Sequence, residues 1–199
     1  MDKNAPKYLR PYRDAIDRDG AAFSSLLWSC PASQHARFEA LTRLYNFAGK
    51  SLIDVGCGRA DLLDYLLERN FFPNHYVGIE AIEEFASAAE RKQHRDCTIV
   101  RADFLREPRR LFVGADAVVY CGSLNTLSVD EFYQTLERGF DAAAEVLVFN
   151  FLCSPALAAA QFLTWHDKKD VRRFLEERSE KVDEIDDYRD GDCTMIAWK

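Results

Sequence analysis

Three acids close three hydrophobic runs in this chain. Asp54 follows Ser51-Leu52-Ile53 and leads into the turn Val55-Gly56-Cys57-Gly58. Glu80 closes His75-Tyr76-Val77-Gly78-Ile79, and Asp103 closes Thr98-Ile99-Val100-Arg101-Ala102. A carboxylate at the end of a second strand can accept both hydroxyls of a ribose. A carboxylate at the end of a third can take a hydrogen bond from an adenine amino group. The two glycines let the chain turn sharply and keep side chains out of the space between backbone and ligand. Leu62, Leu63, Leu66 and Leu67 then recur at helical spacing, so the turn opens onto a helix N-terminus with its free N–H groups. Asp116 to Tyr120 is a fourth run, and Cys121-Gly122-Ser123 is its exit. The order and spacing suit one ligand that carries a nucleoside.

Asp54-Val55-Gly56-Cys57-Gly58, Gly78-Ile79-Glu80 and Ala102-Asp103-Phe104 together resemble the class I S-adenosylmethionine-dependent methyltransferases. The resemblance covers residues 49–152 well and continues more weakly to Lys199. It implies that Asp54, Gly56, Cys57 and Gly58 hold the amino-acid part of S-adenosylmethionine. It implies that Glu80, beside Ala81, holds the ribose, and that Asp103, beside Phe104, reaches the adenine. Cys121, at the exit of the fourth run, falls at the same site. Arg37, on the helix before the first strand, has two readings. It can pair bidentately with the cofactor's carboxylate, or sit on the surface. Ala60 departs from the pattern, because many members carry a third glycine there.

A nicotinamide dinucleotide fold is the competing reading, and it asks for G-x-G-x-x-G. Here Gly56-Cys57-Gly58-Arg59-Ala60 is followed by Asp61. That acid would put negative charge where a pyrophosphate sits, and Asp54 adds a second carboxylate. Both favour an ammonium and a sulfonium over two phosphates.

The elements that must position these residues alternate. Strands are expected at 51–55, 76–80, 98–102, 116–121 and 145–151, and helices at 60–69, 82–93 and 129–143. Ser128-Val129-Asp130-Glu131 is a capping box ahead of the Phe132, Leu136, Phe140 face. Alternation of this kind builds a parallel sheet. Upstream, a partly helical stretch from Tyr8 to Arg18 precedes a helix from Pro31 to Ala48, with Phe38, Leu41, Tyr45 and Ala48 on one face and Gly49 as its stop. Downstream, an alanine-rich helix from Ser154 to about Thr164 and a helix capped by Asp167 precede two strands, Lys181 to Tyr188 and Cys193 to Trp198. The fold class is α/β: a Rossmann-like, mostly parallel seven-stranded sheet with helices on both faces and a C-terminal antiparallel hairpin around Arg189-Asp190-Gly191-Asp192, whose place in the sheet is what the resemblance implies. A single domain is expected, with an N-terminal helical cap (1–48), a cofactor-binding core (49–152), and a lid insert with the hairpin (153–199).

The length of 199 residues and the 48% hydrophobic content suit one globular domain. No run reaches membrane-spanning length and the first residues are polar, so a cytoplasmic protein is expected. The net charge of −7 argues against a protein that grips a phosphate backbone. Six cysteines stand apart with no C-x-x-C pair, which suits reduced thiols and excludes a sequence-legible metal site.

No catalytic constellation is legible. Methyl transfer from a sulfonium disperses charge, so positioning and water exclusion dominate, and a general base is needed only where the acceptor must lose a proton. Cys121 lacks the preceding proline of cytosine C5-methylating enzymes. The strand-four exit also lacks the Asn/Asp-Pro-Pro-aromatic motif of many amino-group methylases. Asn125 reads equally as a substrate contact or a turn cap. His35 and His166 read as packing or surface groups before bases. Phe23, Trp28, Phe162 and Trp165 are candidates to cover the open end of the sheet, where they would suit a small organic acceptor. A protein or RNA acceptor, and a methyltransferase-like fold used only for binding, are the alternatives.

Overall fold

The computed structural model describes residues 5–158 and 160–199. Seven strands form one sheet in the order β3-β2-β1-β4-β5-β7-β6. They are β1 Ser51–Val55, β2 His75–Glu80, β3 Cys97–Arg101, β4 Ala117–Tyr120, β5 Val146–Leu152, β6 Lys181–Ile185 and β7 Asp192–Trp198. The first five run parallel, while β7 pairs antiparallel with both β5 and β6. This is the mixed sheet expected from the sequence.

Side-chain alternation splits the core into two layers. Ile53, Val118, Leu147 and Phe149 face one side and meet Phe132, Leu136 and Phe140 of α5 (Val129–Ala142). Leu52, Val119, Val146 and Val148 face the other, against Phe38 and Leu41 of α2 (Pro31–Leu44) and Leu62, Leu63 and Leu66 of α3 (Asp61–Glu68). Burying a side chain of this kind contributes about 1.5–3 kcal/mol. The capping box of α5 forms as read: Ser128 Oγ accepts from Glu131 N, and the Glu131 carboxylate accepts from Ser128 N at 2.8 Å.

Strand order reverses between β1 and β4, and both lead out at the same end of the sheet. In open α/β sheets such a switch point opens a crevice at the strands' carboxyl ends. Two segments lie over it. One is α1 (Arg10–Asp19), flanked by the short 3-10 turns Lys7–Leu9 and Phe23–Leu26 and packed through Ile16 on Phe85 of α4 (Glu83–Glu90). The other follows β5.

Three expectations need correction. The α2 helix stops at Leu44: Tyr45 turns extended, Phe47 is fully buried in place of Ala48, and Gly49 belongs to the loop before β1. Here the ring contact of Tyr45 with Phe47 and the hydrogen bond from Tyr45 Oη to Glu145 outweigh another helical turn. The alanine-rich helix does not form among the described residues of 154–164; Ala159 lies outside them. Successive turns hold Leu157 and Ala158 instead, and Thr164 N donates to Asn125 O at 2.8 Å. The penultimate strand ends at Ile185, three residues early. α6 (Lys168–Glu176) is capped by Asp167 as expected, its carboxylate accepting from Lys169 N at 2.7 Å.

Candidate functional site

A cleft of about 800 Å³, partly open to solvent, occupies the switch point. From β1 and its turn come Asp54, Gly56, Cys57 and Gly58; from the ends of β2, β3 and β4 come Glu80, Ala81, Asp103, Phe104 and Cys121. Gly56 has φ +74°, and a Cβ there would lie 2.4 Å from the Ser123 Cβ. Glycine is therefore required for β1 and β4 to exit side by side, and Ser123 Oγ then donates to Val55 O at 2.6 Å.

Glu80 is buried and fixed. Gly58 N and Ile82 N each donate to one of its oxygens at 2.8 Å. Burial pushes its carboxyl above the usual range, against these backbone N–H groups. Two of its roughly four acceptor positions remain for a ligand. Asp103 is engaged from both sides. Leu105 N donates to Oδ1 at 3.0 Å, and Tyr8 Oη from the N-terminal segment donates to Oδ2 at 2.5 Å.

Asp54 is 2% exposed and accepts one hydrogen bond, from Tyr76 Oη at 2.6 Å. Burial pushes its carboxyl up to about 7; the Tyr76 hydroxyl opposes this, while Glu80 and Asp61 add to it. Among the described residues no cationic side chain pairs with it. Asp61 contrasts with it. Burial disfavours its charge, but Lys92 at 2.9 Å and Arg59 at 3.0 Å hold its carboxyl below the usual range. The charge that counted against a pyrophosphate is thus compensated locally at Asp61 and uncompensated at Asp54.

The two thiols that line the cleft, Cys57 and Cys121, are held protonated. Burial pushes Cys121 up to about 12, with Asn150 Nδ2 donating to its sulfur at 3.0 Å, and burial raises Cys57 well above its ordinary value. His166 stacks on Phe132 at 3.7 Å, and burial lowers it to about 4. It is a packing group, and His35 is an exposed one. Among the described residues no cluster of His, Cys, Asp and Glu could hold a metal ion, and the acidic stretch 183–187 is ion-paired, with Lys168, Arg172 and Arg43.

Arg37 lies elsewhere than expected. It does not line the cleft; its Nη2 binds Asp192 Oδ1 of β7 at 2.7 Å, and its guanidinium sits over the Trp28 ring. Both partners are buried, so each draws the other. Arg37 faces a second cavity of about 590 Å³, partly open to solvent, beside the first. Tyr12, Leu26, Trp28 and Gly122 line both cavities.

Of the four aromatics expected to cover the site, Trp28 alone lines either cavity; Phe162 and Trp165 are 40% and 42% exposed. Sequence reasoning missed Tyr8 and Tyr12. Their four-residue spacing on a helical stretch was the available signal. It also missed Asp192 and Arg189, which had none.

At the level of sequence, no family model and no curated relative matches this chain. Its structure, in contrast, superposes on solved methyltransferases over nearly its whole length. The magnesium protoporphyrin IX methyltransferase of Synechocystis, with bound S-adenosylmethionine, is 16% identical, covering 98% of this chain and 99% of that one at a TM-score of 0.69. The N-methyltransferase NodS of Bradyrhizobium japonicum, with S-adenosyl-L-homocysteine, is 15% identical, covering 97% and 98% at a TM-score of 0.69. An O-methyltransferase family protein of Burkholderia thailandensis reaches a TM-score of 0.73 at 14% identity, covering 96% of this chain and 66% of that one. The chain has the fold of the class I S-adenosylmethionine-dependent methyltransferases.

Proposed function

We propose that this protein is an S-adenosylmethionine-dependent methyltransferase acting on a small organic acceptor. The observation that carries the reading is Asp54, a buried carboxylate facing the cleft without a cationic side chain beside it among the described residues. A ligand ammonium supplies the missing charge. Glu80, locked by Gly58 and Ile82, offers its remaining acceptor positions to a ribose, and Asp103 offers an acceptor to an adenine amino group. Ala81, Phe104 and Cys121 supply the apolar walls between them.

When bound, this cofactor supplies a methyl group on a positively charged sulfur. The chain's own contribution is to orient and to exclude water, and positioning of two reactants is worth about 7–11 kcal/mol of barrier. Tyr12, Leu26 and Trp28 roof the place where the two cavities meet. No histidine lines either cavity among the described residues.

Two walled cavities lined largely by apolar side chains suit a small molecule better than an RNA or protein segment. No described helix is long and apolar enough to cross a membrane. Calorimetry with S-adenosylhomocysteine and NAD tests the cofactor reading: the first is expected to bind and the second not. Tight NAD binding without S-adenosylhomocysteine binding rejects it. A labelled-methyl assay on fractionated extract then identifies the acceptor.

A further inference from the structure

The second cavity is unlike the first in charge. Among the described residues, Arg37 and Arg189 are its cationic residues and no acid lines it. Asp192, behind the wall, is shared between them: its Oδ1 is 2.7 Å from Arg37 Nη2 and its Oδ2 is 3.4 Å from Arg189 Nε. Two guanidiniums therefore share one carboxylate, and one positive charge is left over. Arg37 is 5% exposed, yet its Nε has no hydrogen-bond partner. Its other contacts are Ser33 O at 3.4 Å and the Trp28 ring. Arg189 Nη1 reaches Ser29 Oγ at 3.1 Å and keeps further donors free. Asn125, on the same wall, has a buried side-chain oxygen without a partner. Most of the remaining wall is apolar, from Leu26, Trp28, Leu152, Leu157 and Leu163, with the Tyr12 phenol and the Ser29 hydroxyl among them.

We infer that this cavity selects a methyl acceptor with an apolar body and a single carboxylate, held by Arg37 and Arg189. The inference rests on the methyltransferase reading above and deepens it. A surplus of one positive charge matches a monoanion. A guanidinium fork matches a carboxylate in shape as well as charge. The leucines and Trp28 would strip water from a phosphate dianion without replacing it, which disfavours that group. Asn125 supplies an acceptor to an O–H or N–H on the acceptor molecule. Trp28 and Gly122, common to both cavities, place the far end of such a molecule next to the cofactor cleft.

The test is calorimetry on the full chain saturated with S-adenosylhomocysteine, using phenylacetate and indole-3-acetate as probes and their neutral amides as controls. At least one acid is expected to bind roughly tenfold or more tightly than its amide, because a site built for a charged partner rejects an isostere lacking it. Arg189→Gln is expected to abolish that preference while leaving S-adenosylhomocysteine affinity as it was. Arg37→Lys keeps the charge and loses the fork, and is expected to weaken the acid alone. Acid and amide binding alike, or no acid binding at all, overturns the inference. So does an Arg37→Lys variant that weakens S-adenosylhomocysteine instead, since Arg37 would then serve the cofactor. Absence of S-adenosylhomocysteine binding to the unaltered protein overturns the underlying methyltransferase reading, and the two failures are thereby told apart.

Discussion

Asp54 ties the cofactor cleft to pH. Its carboxyl titrates near 7 because burial disfavours its charge. Below that pH it is neutral and offers an ammonium little, so affinity for S-adenosylhomocysteine is expected to rise through about pH 6 to 7.5, at up to about tenfold per unit. Calorimetry across that window checks this, with Asp54→Asn expected to bind weakly and without the slope. The same shift has the opposite sign for the ligand-free fold. The native carboxyl titrates above the unfolded one, so stability is greatest below about pH 4 in this contribution and is lost as pH rises through about 7. Glu80 differs, because its carboxylate also holds two backbone donors. A strand-end acid read from sequence packs little, and its removal would spare the fold. The hydrogen bonds to Gly58 and Ile82 revise that. Glu80→Ala is expected to weaken the cofactor by roughly 1.5–3 kcal/mol and to lower stability by about 1–3 kcal/mol, because two buried donors lose their acceptor. Calorimetry and thermal unfolding separate the two effects. That Asp54, Gly56 and Glu80 come together at one cleft was legible because a strand, a glycine turn and a terminal acid are local patterns. Arg37 was misplaced because its partner, Asp192, is 155 residues away.

At the scale of elements, β1, α3 and α5 were legible from apolar period and caps, whereas the segments over the cleft were not. Residues 154–164 have helical composition, but those of them that the structure describes spend backbone groups on Asn125 and on successive turns. Tertiary hydrogen bonds override propensity there. The cover reaches the cleft through α1 and the turn after it. A chain begun at Ser29 is expected to keep its sheet and lose the contacts of Tyr8, Tyr12, Leu26 and Trp28. Its S-adenosylhomocysteine affinity should fall roughly tenfold or more, about 1.4 kcal/mol, with far-ultraviolet circular dichroism reporting an intact core. A cofactor held equally well by the shortened chain would make the cover irrelevant to binding. Gly122 supports the same roof from below. Its φ is +78°, and a Cβ would meet the Trp28 ring at 2.5 Å. Gly122→Ala is therefore expected to cost about 1–3 kcal/mol of stability and to shift tryptophan emission as Trp28 is displaced.

For the whole molecule, a cofactor that binds only the folded chain adds its binding energy to stability. At a hundredfold excess over Kd this is about 2.7 kcal/mol, which for a chain of this size raises Tm by roughly 5–10 °C. S-adenosylhomocysteine is expected to give that rise and NAD none. The strand order carries another consequence. β7 follows β6 in the chain but lies between β5 and β6 in the sheet. In order of synthesis β5, which carries the buried Phe149 and Phe151, comes well before β7, so one long edge has no partner when β5 is made. That edge stays open until β7 has emerged, and an open apolar edge is a template for association with other chains. The residues proposed to hold the cofactor, from Asp54 to Cys121, all lie upstream of β5. Cofactor bound at that site is expected to shorten the life of the open-edged chain, which a higher soluble yield from cell-free synthesis with added S-adenosylhomocysteine checks.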